Sequence, residues 1–451
     1  MKNLIGGKFV DASNGEKADV INPATNELID TVPLATEEDV DLCVKEAAKA
    51  QKAWAKMPLH ERGDILYKFA DLVEANHEEL AQLLSKETGK PIKEARVEIS
   101  NTKHFVHGYV EKAKHDYGNV IPAGSEVGQE KTMQITVQQP LGVVACIIPF
   151  NFPCDLFGQK VPSALIMGNS VIVKPSTDNP LTLHRYCELL KDAGVPDGVI
   201  NCISGRGSVT GNALAKHPQV ALISVTGSTE VGAEVMANAA ANITHVMLEL
   251  GGNDAFIVMD DADMDLTMKE LVWGRLYNTG QVCCASKRFL VQKGIKDEFI
   301  KRAVETLQSL KVAMPQQEDA DIGCLINEKA AINAEEQVRK TLDQGATLVY
   351  GGRRNGAFFE PTILDNVTKD MDVMKDMEIF APVIPVCTFD TLDEALKIAN
   401  QSKFGLCGNI MTSDMKTAFK AAMEMEVGGA VINGASCYWN AIWWLETFWD
   451  W

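Results

Sequence analysis

Cysteine is present in this sequence, but in none of the patterns that would cross-link or metallate a scaffold. The 11 cysteines are odd in number and scattered, with no repeated spacing and no CxxC pair. That excludes a disulfide framework and a zinc site, so no metal is expected, and it points to reduced thiols in a cytoplasmic protein. No uninterrupted apolar run reaches membrane-spanning length, and Met1-Lys2-Asn3-Leu4-Ile5-Gly6-Gly7-Lys8 lacks the apolar core of a secretion signal. Neither a membrane span nor an export leader is therefore expected. Positive charge is in deficit: 43 Lys and Arg face 61 Asp and Glu, a formal net charge of −18. Nucleic acid and anionic membranes are thereby disfavoured as partners. Internal repeats and low-complexity linkers are also lacking.

What remains is a globular chain of 451 residues, 46% hydrophobic and 23% charged, too long for one ordinary core. Two or more lobes are expected. Residues 4–32 alternate apolar and polar positions around Asn14-Gly15 and Asn22-Pro23, as short strands do. Thr36 with Asp39 caps a helix, Pro58 opens a second that runs to Thr88-Gly89-Lys90-Pro91, and residues 92–117 continue as a third. This amphipathic block reads as packing material without chemistry. Residues 118–138 leave the helical period: Met133, Ile135 and Val137 alternate with polar residues, as in an exposed hairpin that crosses to a partner.

From Gly142 onward, continuous apolar runs at 143–148, 171–173, 199–203 and 221–225 are separated by helical stretches. Strands buried on both faces and alternating with helices mean a doubly wound α/β layer. A second series follows Glu249, at 255–258, 288–291, 347–350, 383–388 and 430–433, and implies a second α/β lobe.

Chemistry concentrates in a few stretches. Asn278-Thr279-Gly280-Gln281-Val282-Cys283-Cys284-Ala285-Ser286-Lys287-Arg288 places two thiols after a polar glycine loop and before a cationic pair. A thiol that opens a helix near cations is expected to be partly thiolate, although a buried cysteine is more often a small hydrophobe. Glu249 stands in the apolar run Leu248-Glu249-Leu250-Gly251-Gly252, where burial should raise its pKa and suit it to general-base work; a paired structural carboxylate is the competing reading. Asn151, between Pro149-Phe150 and Phe152-Pro153, is a candidate oxyanion donor or a turn residue. Thr226-Gly227-Ser228-Thr229 follows a strand and opens a helix, as a pyrophosphate cradle or an ordinary cap. Gly205-Arg206-Gly207 is a weaker signal of the same kind. Val173-Lys174-Pro175-Ser176 ends a strand with a Lys that faces the crevice or merely borders a turn, and Glu378-Ile379-Phe380 offers a carboxylate for a ribose hydroxyl and an aromatic face.

Together and in this order, these segments resemble the aldehyde dehydrogenase superfamily, over roughly residues 5–433. The resemblance implies two Rossmann-like lobes with a protruding β-hairpin arm: a cofactor-binding domain at 1–117 and 139–250, an oligomerisation hairpin at 118–138 and a catalytic domain at 251–434. It implies Cys283 as nucleophile, Glu249 as the base that activates water, and Asn151 as the oxyanion amide, with Cys284 a bystander. Contacts to NADP or NAD are implied at Phe150, Lys174, Ser176, Thr177, Gly207, Gly227 and Ser228, and at a nicotinamide-ribose clamp of Glu378 and Phe380. The implied activity is oxidation of a small aldehyde to its free acid through a Cys283 thioester. A homodimer or tetramer is the implied assembly.

Two departures narrow this. Three residues after Lys174, where NAD-preferring members tend to carry Glu, stands Thr177; a hydroxyl there can donate to a 2′-phosphate, so NADP is expected to be accepted. Semialdehyde-oxidising relatives often carry Arg eight residues after the oxyanion Asn, and here the residue is Gln159, while Val282 precedes the nucleophile. A small uncharged or hydroxylated aldehyde is thus favoured over a dianionic or phosphorylated one. Residues 435–451 replace the family's C-terminal segment with an atypical aromatic tail holding Trp439, Trp443, Trp444, Trp449 and Trp451. The jump in composition points to a shifted reading frame more than to a natural aromatic patch. It keeps open a second function class, a catalytically impaired member acting as a structural or binding protein.

Overall fold

The computed structural model describes residues 1–436. Of the aromatic tail set apart at 435–451, only Ala435 and Ser436 fall among them, so the reading of that tail lies outside the described residues. Two seven-stranded sheets organise the chain. In the first, the order is His245–Glu249, Val220–Thr226, Val143–Ile147, Ser170–Lys174, Ile200–Cys202, Asn3–Ile5, Lys8–Val10. Its first five strands are parallel, and the two N-terminal strands add antiparallel at one edge.

The continuous apolar runs have a simple cause. Val144 and Cys146 pack into a core on one face of this sheet, Val143 and Ala145 into a separate core on the other, so every position of the strand is covered. The chain starts at the central Val143–Ile147 strand, winds outward through Ser170–Lys174 and Ile200–Cys202, then returns to the opposite side with Val220–Thr226. Such a reversal opens a crevice beyond the carboxyl ends of the strands. Asn151, Lys174, Gly227 and Glu249 all lie at or just past those ends.

The second sheet runs Thr347–Tyr350, Thr362–Val367, Val383–Phe389, Ser286–Gln292, Asp254–Val258, Cys407–Met411, Gly429–Ile432, and all its pairings are parallel except that of the Thr347–Tyr350 edge. It too has a core on each face. The expected alternation in this lobe holds, with two strands added: Thr362–Val367 carries a turn-like Asp365-Asn366, and Cys407–Met411 contains Gly408 and Asn409. Cys407–Met411 has only one β-branched residue, and Asp365-Asn366 interrupts the apolar run of Thr362–Val367.

Three sequence expectations need correction. The helix opened by Pro58 is two helices, Leu59–Ala75 and His77–Thr88, parted at Asn76 (φ −106°, ψ 17°), whose side chain turns back to donate to the Leu72 carbonyl. An apolar stripe shared by both segments hid the break. The third helix ends at Ala113 rather than 117. The hairpin pairs only Val120–Ile121 with Gln134–Ile135, a short ribbon whose apolar side chains stand in solvent. Among the described residues, no helix is long and apolar enough to cross a membrane.

Candidate active site

The carboxyl ends of the first sheet meet the amino ends of the second, and a pocket lies at this junction. Asn151, Glu249 and Cys283, distant in sequence, all line it, with Phe152, Asp155, Gln159, Trp273 and Tyr277 among the walls. Glu249 ends its strand in register with Thr226, and its carbonyl accepts the Gly227 N–H at 3.0 Å. The chain then crosses to the second lobe through Gly251-Gly252. A Cβ on Gly252 would sit 2.5 Å from the Cys283 carbonyl oxygen, and one on Gly251 would collide with the Glu378 carboxylate. Glycine is needed there so that Glu249, the Cys283 loop and Glu378 can converge.

Cys283 occupies a turn leading into the Ser286–Gln292 strand, not the start of a helix, so the expected help from a helix N-terminus is absent. The cationic pair does not face the thiol either. Lys287 donates to the Cys283 carbonyl at 2.5 Å and pairs with Glu378 at 3.1 Å. Arg288 is spent on the carbonyls of Asn253, Met374, Ile398 and Ala399. What distinguishes Cys283 is access: of the ten described cysteines, all free, it alone is not buried. Cys284 is buried, its Sγ lies 3.6 Å from the Ser436 carbonyl, and burial pushes its thiol well above the ordinary range. Cys284 is thereby unsuited to act.

Asn151 is buried, and its Nδ2 donates to the Gln281 carbonyl at 3.1 Å, which ties the amide directly to the loop that carries Cys283. Burial raises the pKa of the half-buried Glu249, with the Lys160 ammonium opposing. Lys160 escaped the sequence reading. It is itself buried, donates to Ser224 Oγ at 2.8 Å, and is pushed down to about 8 by burial. Its place nine residues after Asn151, one beyond Gln159, was the only available hint.

The residues assigned to a dinucleotide gather on the first lobe. Lys174 is buried at its strand end, donates to the Pro175 carbonyl at 2.9 Å, and is pushed down to about 8 by burial. Ser176 and Thr177 are half-buried beside it, and Ser176 Oγ bonds Asp178 at 3.3 Å. Ser228 caps the Thr229–Ala239 helix. Gly227 needs no glycine for its own packing, since a Cβ would meet only Val231 at 3.6 Å, and Gly207 faces open space. Thr226 Oγ1 is buried with no protein partner. An open helix N-terminus, a buried amine and an orphaned hydroxyl fit a pyrophosphate and ribose. Across the cleft, Phe150 meets Phe380 edge to face at 6.0 Å, and Glu378 lies under the Lys287 ammonium. Arg275, also missed by sequence, is fully buried and donates to the carbonyls of Val383 at 2.6 Å and Ile379 at 2.9 Å, holding the Phe380 loop. Among the described residues, no group of three His, Cys, Asp or Glu side chains could hold a metal.

Burial raises other carboxyls around these elements as well, among them Glu87 to about 7, Glu94 to about 8 and Asp254 to about 7. Each keeps its proton in the folded chain at pH values where the unfolded chain has lost it. The stabilisation from that proton is complete near pH 4 and is lost as pH rises to about 8. The expected result is a lower Tm at about pH 8 than at about pH 5.5, read by calorimetry. A flat or rising Tm across that interval would contradict these assignments.

Residues 9–440 match the model of the aldehyde dehydrogenase family. A D-glyceraldehyde dehydrogenase (NADP⁺) of Picrophilus torridus is 37% identical over 441 residues, covering 96% of this chain and 88% of its own. A mitochondrial succinate-semialdehyde dehydrogenase of Oryza sativa subsp. japonica is 37% identical over 435 residues, 96% of this chain and 82% of that one. The solved structure of a 3,6-anhydro-L-galactose dehydrogenase in complex with NAP superposes with a TM-score of 0.93 at 35% identity, covering 97% of this chain and 92% of the other. With the family's model matched across nearly its whole length and its fold reproduced, the chain belongs to the aldehyde dehydrogenase family.

Proposed function

We propose that this protein oxidises a small, uncharged, hydroxylated aldehyde to its free carboxylic acid, with NADP⁺ or NAD⁺ as acceptor. The observation that carries this is the convergence of Asn151, Glu249 and Cys283 on one pocket. The Cys283 sulfur, the only accessible thiol among those described, adds to the aldehyde carbon. Asn151 Nδ2 and the Cys283 backbone N–H stabilise the alkoxide; one such donor is worth about 3–4 kcal/mol. The Phe150 and Phe380 rings would hold the nicotinamide, which when bound would supply the acceptor for the hydride leaving the aldehyde carbon as the Cys283 thioester forms. Glu249 takes the proton of the water that cleaves the Cys283 thioester, and its raised pKa favours that role. Lys160 is placed to tune it.

The lobe at 1–117 and 139–250 carries the cofactor side, 251–434 the nucleophile side, and the exposed hairpin at 118–138 an arm toward a second copy. The substrate class follows from the walls. Among the described residues, no Lys, Arg or His lines the pocket, and an anionic substrate finds no counter-charge there. Asp155 and Gln159, one turn apart on the Pro153–Ile166 helix, both line it, and each keeps a buried oxygen without a partner. Burial and the neighbouring Glu98 hold the Asp155 carboxyl well above the ordinary range, so Asp155 can donate while Gln159 accepts, a pair that suits a substrate bearing hydroxyls. The Picrophilus relative, a D-glyceraldehyde dehydrogenase, agrees with this, and the Oryza relative, a succinate-semialdehyde dehydrogenase, does not.

An aldehyde panel followed at the reduced-nicotinamide absorbance, with both cofactors, tests the reading. Glyceraldehyde and lactaldehyde should exceed succinate semialdehyde in kcat/KM by about tenfold or more. Thr177→Glu should lower kcat/KM for NADP⁺ by about tenfold and spare NAD⁺, because a carboxylate there repels the 2′-phosphate. A preference for succinate semialdehyde would overturn the substrate class, and an NADP⁺ response indifferent to Thr177→Glu would overturn the cofactor assignment.

A further inference from the structure

The N-terminal helices read as packing material, yet they send three ionisable side chains to the back of the active site. Lys90 follows the left-handed Gly89 (φ 79°) that ends the His77–Thr88 helix, and Glu94 and Glu98 lie one turn apart on the Ile92–Ala113 helix. Lys90 and Glu98 are wholly buried and form an ion pair. Lys90 Nζ also donates to the Asn151 carbonyl at 2.9 Å and stands 3.8 Å from the centre of the Phe152 ring. Glu98 Oε1 accepts the N–H groups of Cys154 at 2.8 Å and Asp155 at 3.4 Å, the first turn of the helix that follows Asn151. A carboxylate there satisfies orphan donors and complements the helix dipole.

Glu94 acts on the other catalytic segment. Its Oε2 accepts the Asn278 N–H at 2.8 Å across 184 residues of sequence. Asn278 (φ 50°, ψ 39°) and Thr279 (φ 55°, ψ 33°) are consecutive left-handed residues, a conformation disfavoured for any side chain and most for a β-branched one. Such backbone persists only where its surroundings hold it. Asn278 then closes the circuit: its Nδ2 donates to the Asn151 carbonyl at 2.8 Å, while Asn151 Nδ2 donates to the carbonyl of Gln281, two residues before Cys283.

We propose that Lys90, Glu94 and Glu98 are positioning residues that fix the Asn151 amide and the Cys283 loop relative to each other. None of the three lines the pocket, so each acts through another residue. This rests on the proposed function, in which Asn151 and Cys283 are the groups whose spacing matters. Glu94→Ala removes the clamp on Asn278. Glu94→Gln keeps a carbonyl acceptor in the same place. Lys90→Met with Glu98→Gln removes one of the two donors to the Asn151 carbonyl while leaving an acceptor for the next helix, and a buried pair replaced by neutral side chains of similar size is generally tolerated.

The experiment measures kcat, KM for cofactor and Tm for wild type and all three variants, using the best aldehyde of the panel. Glu94→Ala and the double variant should lose about 10- to 100-fold in kcat, with cofactor KM within about twofold of wild type. Glu94→Gln should stay within about threefold of wild-type kcat. A merely structural role would lower Tm and leave kcat alone. The proposal is overturned if Glu94→Ala and the double variant turn over at the wild-type rate, or if Glu94→Gln loses as much as Glu94→Ala. Should Glu94→Ala not fold, the double variant and Glu94→Gln decide. A wild-type enzyme inert toward every aldehyde would instead defeat the proposed function.

Discussion

Cys283→Ala is expected to lower kcat by at least about 10⁴-fold, because loss of a nucleophile removes the covalent route and leaves only what binding and oxyanion stabilisation supply. Cofactor affinity should be unchanged, since the sulfur contributes nothing to the Lys174, Gly227 and Ser228 side of the cleft. Stability should change little, because Cys283 is only partly buried and its removal opens no closed cavity. The matched control is Cys284→Ala. That thiol is buried, its pKa is pushed far up, and its Sγ rests near the Ser436 carbonyl. Its loss should cost stability and leave most of the turnover. Steady-state rates with thermal melting separate the two residues. An active Cys283→Ala enzyme, or an inactive but folded Cys284→Ala enzyme, would mean that the wrong sulfur has been assigned.

Glu249→Gln is the second large effect, and its signature is kinetic. Formation of the thioester needs the sulfur and the oxyanion donors, whereas its hydrolysis needs a base. The variant should therefore release about one equivalent of reduced nicotinamide per active site in a rapid burst and then stall, with the steady-state rate down by about 10²- to 10⁴-fold. The amide cannot take a proton from water at any pH, so raising pH should not restore turnover through this position. Stopped-flow absorbance reads both phases. Loss of the burst together with the steady state would place Glu249 before the thioester and not after it.

The fold was largely legible because its strands are covered on both faces. Residues 143–148 read as an unbroken apolar run for the same reason that Val144 and Val143 enter opposite cores. Strands lacking that signature, 362–367 and 407–411, were not found, and the Asn76 break was masked by an apolar stripe common to both helices. Asn151, Glu249 and Cys283, which line one pocket, stand out as motifs, yet the structure does not support the expected activation of the Cys283 thiol. Neither a helix N-terminus nor the Lys287-Arg288 pair faces the sulfur; Lys287 serves Glu378 and Arg288 serves four carbonyls. Access to the pocket is what singles that thiol out. The supporting shell could not be read at all. Glu94 reaches Asn278 and Arg275 reaches Val383 through contacts more than 100 residues apart in sequence, and no local pattern encodes such pairings. The glycines of Gly251-Gly252 were visible, but their purpose appears only when Cys283 and Glu378 are seen against them.

The most direct measurement is the intact mass, followed by peptide mapping, of Glu249→Gln quenched in acid after brief exposure to glyceraldehyde and NADP⁺. An acyl group should be found on the peptide containing residues 283 and 284, and the same experiment on the Cys283→Ala, Glu249→Gln double variant should find none. No covalent adduct in the single variant during the burst, or an adduct that survives in the double variant, would contradict the thioester at Cys283.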